Sequence, residues 1–153
     1  TGEKQVRCVD AATGETLWSA DVGYAWCPVQ PIAVGELIIV TVPSGKIAAF
    51  AAATGEPVWA WNTPGGSVSV GPYHRGYGGH IGGPAVAGDT LAVAGLDGSL
   101  TLLDPETGSV VRQWPAGSLG QAPITAPIAV DGCKVYVADL AGELSCWRID
   151  SLS

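Results

Sequence analysis

Apolar residues fall in short β-branched runs along this chain, and turn residues separate the runs. LIIV at 37–40 extends through Thr41 and Val42, and IAAFAAA occupies 47–53. Such runs, five to seven residues long and bounded by Gly, Asp and Pro, predict β-strands. No window sustains a helical period. Asp97-Gly98 and Ser44-Gly45 supply the positive φ that tight hairpin turns require. The pattern therefore predicts antiparallel hairpins and an all-β chain.

The runs recur as a unit. PIAVGELIIVTVPSGKIAAF begins at Pro31, PAVAGDTLAVAGLDGSLTLL at Pro84, and PIAVDGCKVYVADLAGELSCW at Pro127. Turn glycines Gly35, Gly88 and Gly132 are 53 and 44 residues apart, and Gly45, Gly98 and Gly142 repeat those spacings. A second landmark shares the register: VDAATGETLW at 9–18, AAATGEPVW at 51–59 and DPETGSVVRQW at 104–114. A period of this size means stacked units of one supersecondary element. Each unit reads as four strands, A to D, with the Thr-Gly turn between C and D.

Within that turn Gly14, Gly55 and Gly108 are expected to take left-handed conformations. Asp10 and Asp104 are placed to accept hydrogen bonds from turn amides; Ala51 stands in their place in the second unit, which should weaken that turn. Strand D then carries Trp18, Trp59 and Trp114, read as one aromatic at the same point of every unit that covers the join to the next. The units are assigned to residues 1–22 (strands C and D of a first blade), 28–62, 83–115 and 126–150 (strands A to C of a last blade) of a single domain, 1–153.

This pattern resembles the repeat of pyrroloquinoline quinone (PQQ) enzyme-like β-propellers, Ala-x-Asp-x-x-Thr-Gly-x-x-x-Trp. VDAATGETLW matches it nearly in full, with Cys8 at the leading small-residue position; the second unit lacks the Asp and the third has two extra residues before its Trp. The resemblance implies a partial β-propeller of four-stranded antiparallel blades, about three blades' worth in thirteen strands. The same repeat serves quinone-dependent dehydrogenases, an outer-membrane assembly lipoprotein, and sensor or accessory domains of bacterial enzymes, so the fold does not carry the function.

Composition narrows the choice. The 153 residues suffice for one domain with a core. The absence of Met reads as a processed chain or a piece of something longer. Net charge is −7 with only seven Lys and Arg, scattered, which argues against nucleic acid and anionic membrane surfaces. No apolar run approaches the roughly 20 residues of a membrane span. Cys8, Cys27, Cys133 and Cys146 show no zinc spacing, and buried free thiols are the expectation.

Candidate function concentrates in the crossovers from strand D to the next strand A. They lie at 23–30, 62–83 and 115–126, on the face opposite the Thr-Gly turns, and the second is about ten residues longer than the period needs. Together they gather Tyr24, Trp26, Cys27, Tyr73, His74, Arg75, Tyr77, His80 and Gln121. Long loops with their own chemistry are where binding usually sits. His74 and His80 are weakly spaced for a metal, and no acidic residue lies in their loop; no metal or other cofactor is expected. Quinone dehydrogenases resembling this chain hold calcium with clustered oxygens and often use two adjacent Cys. Here the acids sit in outer turns, Asn62 is the only Asn, and no two Cys adjoin.

The expectation is a non-catalytic binding or scaffolding module of a larger bacterial protein, secreted, periplasmic or attached to the cell envelope. Its partner is another protein or the remaining blades of a parent chain, and two isolated copies are expected to join head to tail as a homodimer. The alternatives are a fragment of a PQQ-dependent dehydrogenase, and an accessory or sensor domain on a kinase or phosphoesterase.

Overall fold

The structure, a computed structural model, describes residues 5–23, 29–42, 45–62, 67–69, 76–78, 82–115, 117–119, 124 and 126–149. Every regular element among them is a strand. A two-stranded hairpin comes first, β1 (Gln5–Val9) and β2 (Thr16–Asp21). A four-stranded meander follows: β3 (Ile32–Val34), β4 (Leu37–Val42), β5 (Lys46–Ala51) and β6 (Pro57–Asn62). A small hairpin, β7 (Ser67–Ser69) and β8 (Gly76–Gly78), interrupts the second crossover. The next meander is β9 (Ala85–Ala87), β10 (Thr90–Ala94), β11 (Leu100–Leu103) and β12 (Val110–Trp114). The last sheet is β13 (Ala129–Asp131), β14 (Lys134–Ala138) and β15 (Leu144–Arg148). The chain is thus a partial β-propeller. The long crossover 62–83, in which the apolar pattern predicts no strand, contains β7 and β8, two strands beyond the thirteen of the blades and too short and too Gly-rich to register as an apolar run.

Hydrophobic burial holds the sheets face to face. Between the first hairpin and the second sheet lie Val22, Val40, Val42, Ala48 and Phe50. Ile39, Ile47 and Ala49 meet Leu91, Val93 and Leu103 at the next join. Ala92, Ala94, Leu100 and Leu102 meet Val135 and Val137 at the last. Each middle sheet is therefore buried on both faces. That is why β4 and β10 read as continuous apolar runs rather than alternating ones. A fully buried Ile or Leu contributes about 1.5–3 kcal/mol by leaving water. The D strands β6 and β12 sit at sheet edges and are more exposed, so they tolerate polar residues.

Turn chemistry fixes the register. Gly35, Gly88 and Gly132, with φ of 57°, 60° and 58°, open the A–B turns, where a two-residue hairpin needs φ above zero. In the C–D turn of the first hairpin, Gly14 N–H donates to Asp10 O at 2.8 Å and Asp10 N–H to Glu15 O at 2.9 Å. The same pair of bonds recurs from Gly55 and Ala51, and from Gly108 and Asp104. A bulge precedes each turn, between Cys8 and Val9, Ala49 and Phe50, and Leu102 and Leu103.

Tryptophans lock consecutive sheets together at these turns. The Trp18 indole N–H donates to Ala52 O at 2.9 Å, and its ring covers Gly55 so closely that a Cβ there would lie 2.7 Å from Trp18 Cδ2. Trp59 repeats the arrangement one sheet later, bonding Pro105 O at 2.9 Å over Gly108. Trp114 does not. Register pairs Trp18 with Cys8 and Trp59 with Ala49, but Trp114 with Leu100. Ile47, the counterpart of Leu100, pairs with Trp61, so Trp114 occupies the place of Trp61 and Arg112 that of Trp59. The two extra residues shift the ring one step along the same strand face. Its partner is intramolecular to the strand: the Arg112 guanidinium lies 4.4 Å from the Trp114 ring centroid.

Gly14 and Gly55 have the same φ of 75°, yet a Cβ at Gly14 would meet nothing within 4 Å. Gly14→Ala should therefore cost only the left-handed backbone penalty of about 1–2 kcal/mol. Gly55→Ala should lose a further amount of about 1–3 kcal/mol, because the Trp18 ring must move. Urea midpoints of the two variants measure the difference, and equal losses would remove the ring-on-glycine contact from the account.

Candidate functional site

The sheets present two chemically different faces. Hydrogen bonds assign the turns to them. Ala52 N–H donates to Glu36 O at 2.8 Å, which ties an A–B turn to a C–D turn on one face. On the other face the third crossover is tied to a B–C turn: Gly117 N–H donates to Asp97 O and Leu119 N–H to Gly98 O, both at 2.8 Å.

On the crossover face the three connections converge at Gly82 and Gly83. A Cβ at Gly82 would lie 2.5 Å from Ala126 O of the third crossover, and one at Gly83 2.7 Å from Val29 Cγ1 of the first. At Gly82 only glycine lets the two backbones approach so closely, whereas at Gly83 the near neighbour is a side chain. Leu119 and Ile124 of the third crossover are buried against Val135, Val137 and Ile149. The described crossover ends are therefore packed parts of the fold. Sequence reasoning passed over Gly82, Gly83 and Leu119; the doubled glycine was the available signal of close backbone approach.

Of the residues expected to form a binding surface there, Tyr24, Trp26, Tyr73, His74, Arg75, His80 and Gln121 lie outside the described residues, as does Cys27. Tyr77 falls in β8, whose backbone pairs Val68 with Tyr77. The strands β7 and β8 form a two-stranded sheet of their own.

The turn face is built on ordered carboxylates. Asp10 Oδ1 accepts the N–H of Ala12 at 2.9 Å and of Thr13 at 2.8 Å, and the Thr13 hydroxyl at 3.1 Å. Asp104 Oδ1 accepts the N–H of Glu106 at 2.8 Å and of Thr107 at 2.9 Å. In the second unit Ala51 offers no such acceptor; Thr54 Oγ1 receives the Glu56 N–H at 3.3 Å and donates to Glu56 Oε2 at 3.3 Å. Among the described residues no three His, Cys, Asp or Glu side chains come together as metal ligands. These turn carboxylates are spent on the amides of their own hairpins, and among the described residues they do not come together as the several oxygen ligands that calcium takes.

The outer surface of the last sheet is open. Leu144 is 74% exposed, whereas Leu100, its counterpart one sheet earlier, is 2% exposed. Tyr136 and Cys146 pair on that surface where Ile39 and Ala49 pair in the buried second sheet. This corrects the expectation of buried thiols: Cys133 and Cys146 are exposed and Cys8 half-buried. Cys133 sits in a hairpin turn, and among the described residues no sheet covers Cys146.

These features define a β-propeller segment built from PQQ-like repeats. The chain belongs to the PQQ_2 family, described as outer membrane protein assembly factor BamB, whose model matches residues 2–145. Its fold is similar to that of BamB from Moraxella catarrhalis, at 24% identity and a TM-score of 0.76, over 97% of this chain and 45% of that one. The chain therefore spans about half the length of that relative. It is also similar to the computationally designed Ika4 protein (17% identity, TM-score 0.71, 97% of this chain and 81% of that one) and the designed Ika8 protein (15%, 0.52, 97% and 54%). At these identities the likeness shows the fold. No curated protein sequence matches the chain.

Accepted backbone bonds, first from Thr13 and then Ala12, hold the Asp10 carboxyl below its ordinary 3.8, and bonds led by that from Thr107 do the same for Asp104. A depressed carboxylate stabilises the fold above its unfolded value, and that contribution is lost as pH falls below 3.8 through the folded value. Stability should therefore drop between pH 5 and pH 3 more steeply in the native chain than in Asp10→Asn/Asp104→Asn. Urea midpoints at the two pH values are the check; equal drops would show that these turns are not protonation-sensitive.

Proposed function

We propose that this chain is a non-catalytic propeller segment that scaffolds protein assembly at the bacterial cell envelope. The observation that carries this reading is membership, over residues 2–145, of the family described as an outer-membrane assembly factor. Two features of the geometry support it. The Trp-on-Gly joins tie consecutive sheets together, and the long second crossover carries a hairpin of its own, β7–β8. Tyr24, Trp26, Tyr73, His74, Arg75, Tyr77, His80 and Gln121 are the residues proposed to meet the partner. The uncovered surface around Tyr136, Leu144 and Cys146 supports a second association, with further blades or with a copy of the chain joined head to tail.

Replacing residues 65–80 by a short Gly-Ser link should leave the melting transition nearly intact, since loop length changes closure entropy by only about 0.6 kcal/mol per doubling. Trp59→Ala should cost about 3–5 kcal/mol. With immobilised chain and solubilised bacterial envelope proteins, the native chain should retain a partner that the loop replacement does not. Equal retention by both, or a melt as severe as that of Trp59→Ala, would overturn the assignment of the partner surface. Saturable binding of PQQ with calcium by calorimetry would overturn the non-catalytic reading.

A further inference from the structure

A groove opens on the turn face, opposite the proposed partner loops. Its one wall is the A–B turn of the second sheet, Val34 to Leu37, and the other is Pro105 and Glu106 in the C–D turn of the third. Its volume is about 440 Å³, within the roughly 300–1,000 Å³ of ligand clefts. Both walls are held by bonds already described. Glu36 O accepts the Ala52 N–H, and Pro105 O accepts the Trp59 indole N–H. The groove is thus a product of the sheet-to-sheet join and is preformed.

Its chemistry is divided. Val34 and Leu37 are half-buried against the core between the second and third sheets and give an apolar floor with Pro105. The carboxylates of Glu36 and Glu106 stand on opposite rims, both residues exposed. Among the described residues neither is ion-paired. The neighbouring turns are acidic: Glu15, Glu56 and Asp89 lie in them, and the turns 10–15, 35–36, 51–56, 88–89 and 104–109 contain no Lys or Arg, the cations Lys134 and Arg148 lying at the turn end of the last sheet. A like-charged rim around an apolar floor favours a cation-flanked apolar side chain, because steering and rim pairing both depend on opposite charge.

We infer that this groove docks a short basic segment of a partner polypeptide, with one apolar side chain on Val34, Leu37 and Pro105 and flanking Lys or Arg side chains on Glu36 and Glu106. This surface is separate from the crossover loops, so one segment can hold two partners, or two parts of one, at opposite ends of its sheets.

The test uses the full 153-residue chain and a fluorescein-labelled nonapeptide of alternating lysine and leucine. Matched glutamate–leucine and lysine–glycine peptides are the controls. Anisotropy should show saturable binding of the lysine–leucine peptide alone, weakened by salt. The Trp59 indole N–H cross-peak should shift with it. Glu36→Gln/Glu106→Gln, isosteric and exposed, should weaken binding by about two- to thirtyfold, the loss of two exposed ion pairs. Equal binding of the lysine–glycine peptide would reduce the site to non-specific charge and overturn the inference. So would binding that ignores the double substitution or leaves Trp59 unmoved. Self-association of the chain lost on the double substitution would give the groove to a second copy, which also overturns it. Deleting residues 65–80 should not affect the peptide, which separates this surface from the crossover face.

Discussion

An indole ring lying on a glycine holds this architecture in register. Apolar faces alone would let consecutive sheets slide, because hydrophobic burial is non-directional. Trp18 and Trp59 add direction. Each projects from the outer strand of one sheet, donates its N–H to a carbonyl in the next C–D turn, and covers a glycine that has no Cβ to obstruct it. The glycine is needed twice over, for its positive φ and for the space above it. From that contact follow the alignment of the cores, the gathering of turns on one face, and the groove between neighbouring turns.

Much of the fold was legible because one period fits several independent landmarks. Turn glycines recur with the Pro starts and the apolar runs, and a turn that needs positive φ leaves a mark that substitution does not easily blur. Register within strand D was not legible. Trp114 looked like a third copy of Trp18 and Trp59, but two added residues preserve the strand face while moving the ring to the place of Trp61, and Arg112 fills the vacated position. Sequence alignment by the nearest Trp cannot see an offset of one strand repeat. Exposure of Cys146 was equally hidden, since the same strand position is buried in the middle sheets and open in the last.

The two faces carry different kinds of information. Turn-face residues belong to the repeat: Thr and Gly close each Thr-Gly hairpin, Asp joins them in the first and third, and carboxylates accumulate on that face as a by-product. The crossover face is where the units differ, in length and in chemistry. Its expected binding residues fall in the stretch around β7–β8 and in the first and third crossovers, while the described ends of those crossovers are fixed by Gly82, Gly83 and Leu119. The repeat thus fixes the turn face, while length and residue content vary from one crossover to the next.

A double-mutant cycle on Trp59 and Gly108 tests the central claim most directly. Urea unfolding of the native chain, Trp59→Ala, Gly108→Ala and the double variant gives the coupling between ring and glycine. A Cβ at Gly108 would lie 2.5 Å from Trp59 Cε3, so removing the ring should relieve the clash. The account predicts a double variant more stable than the sum of the single losses implies, by about 1 kcal/mol or more, within the range measured for contacting residues. Losses that add to within about 0.3–0.5 kcal/mol, as for independent sites, would contradict it.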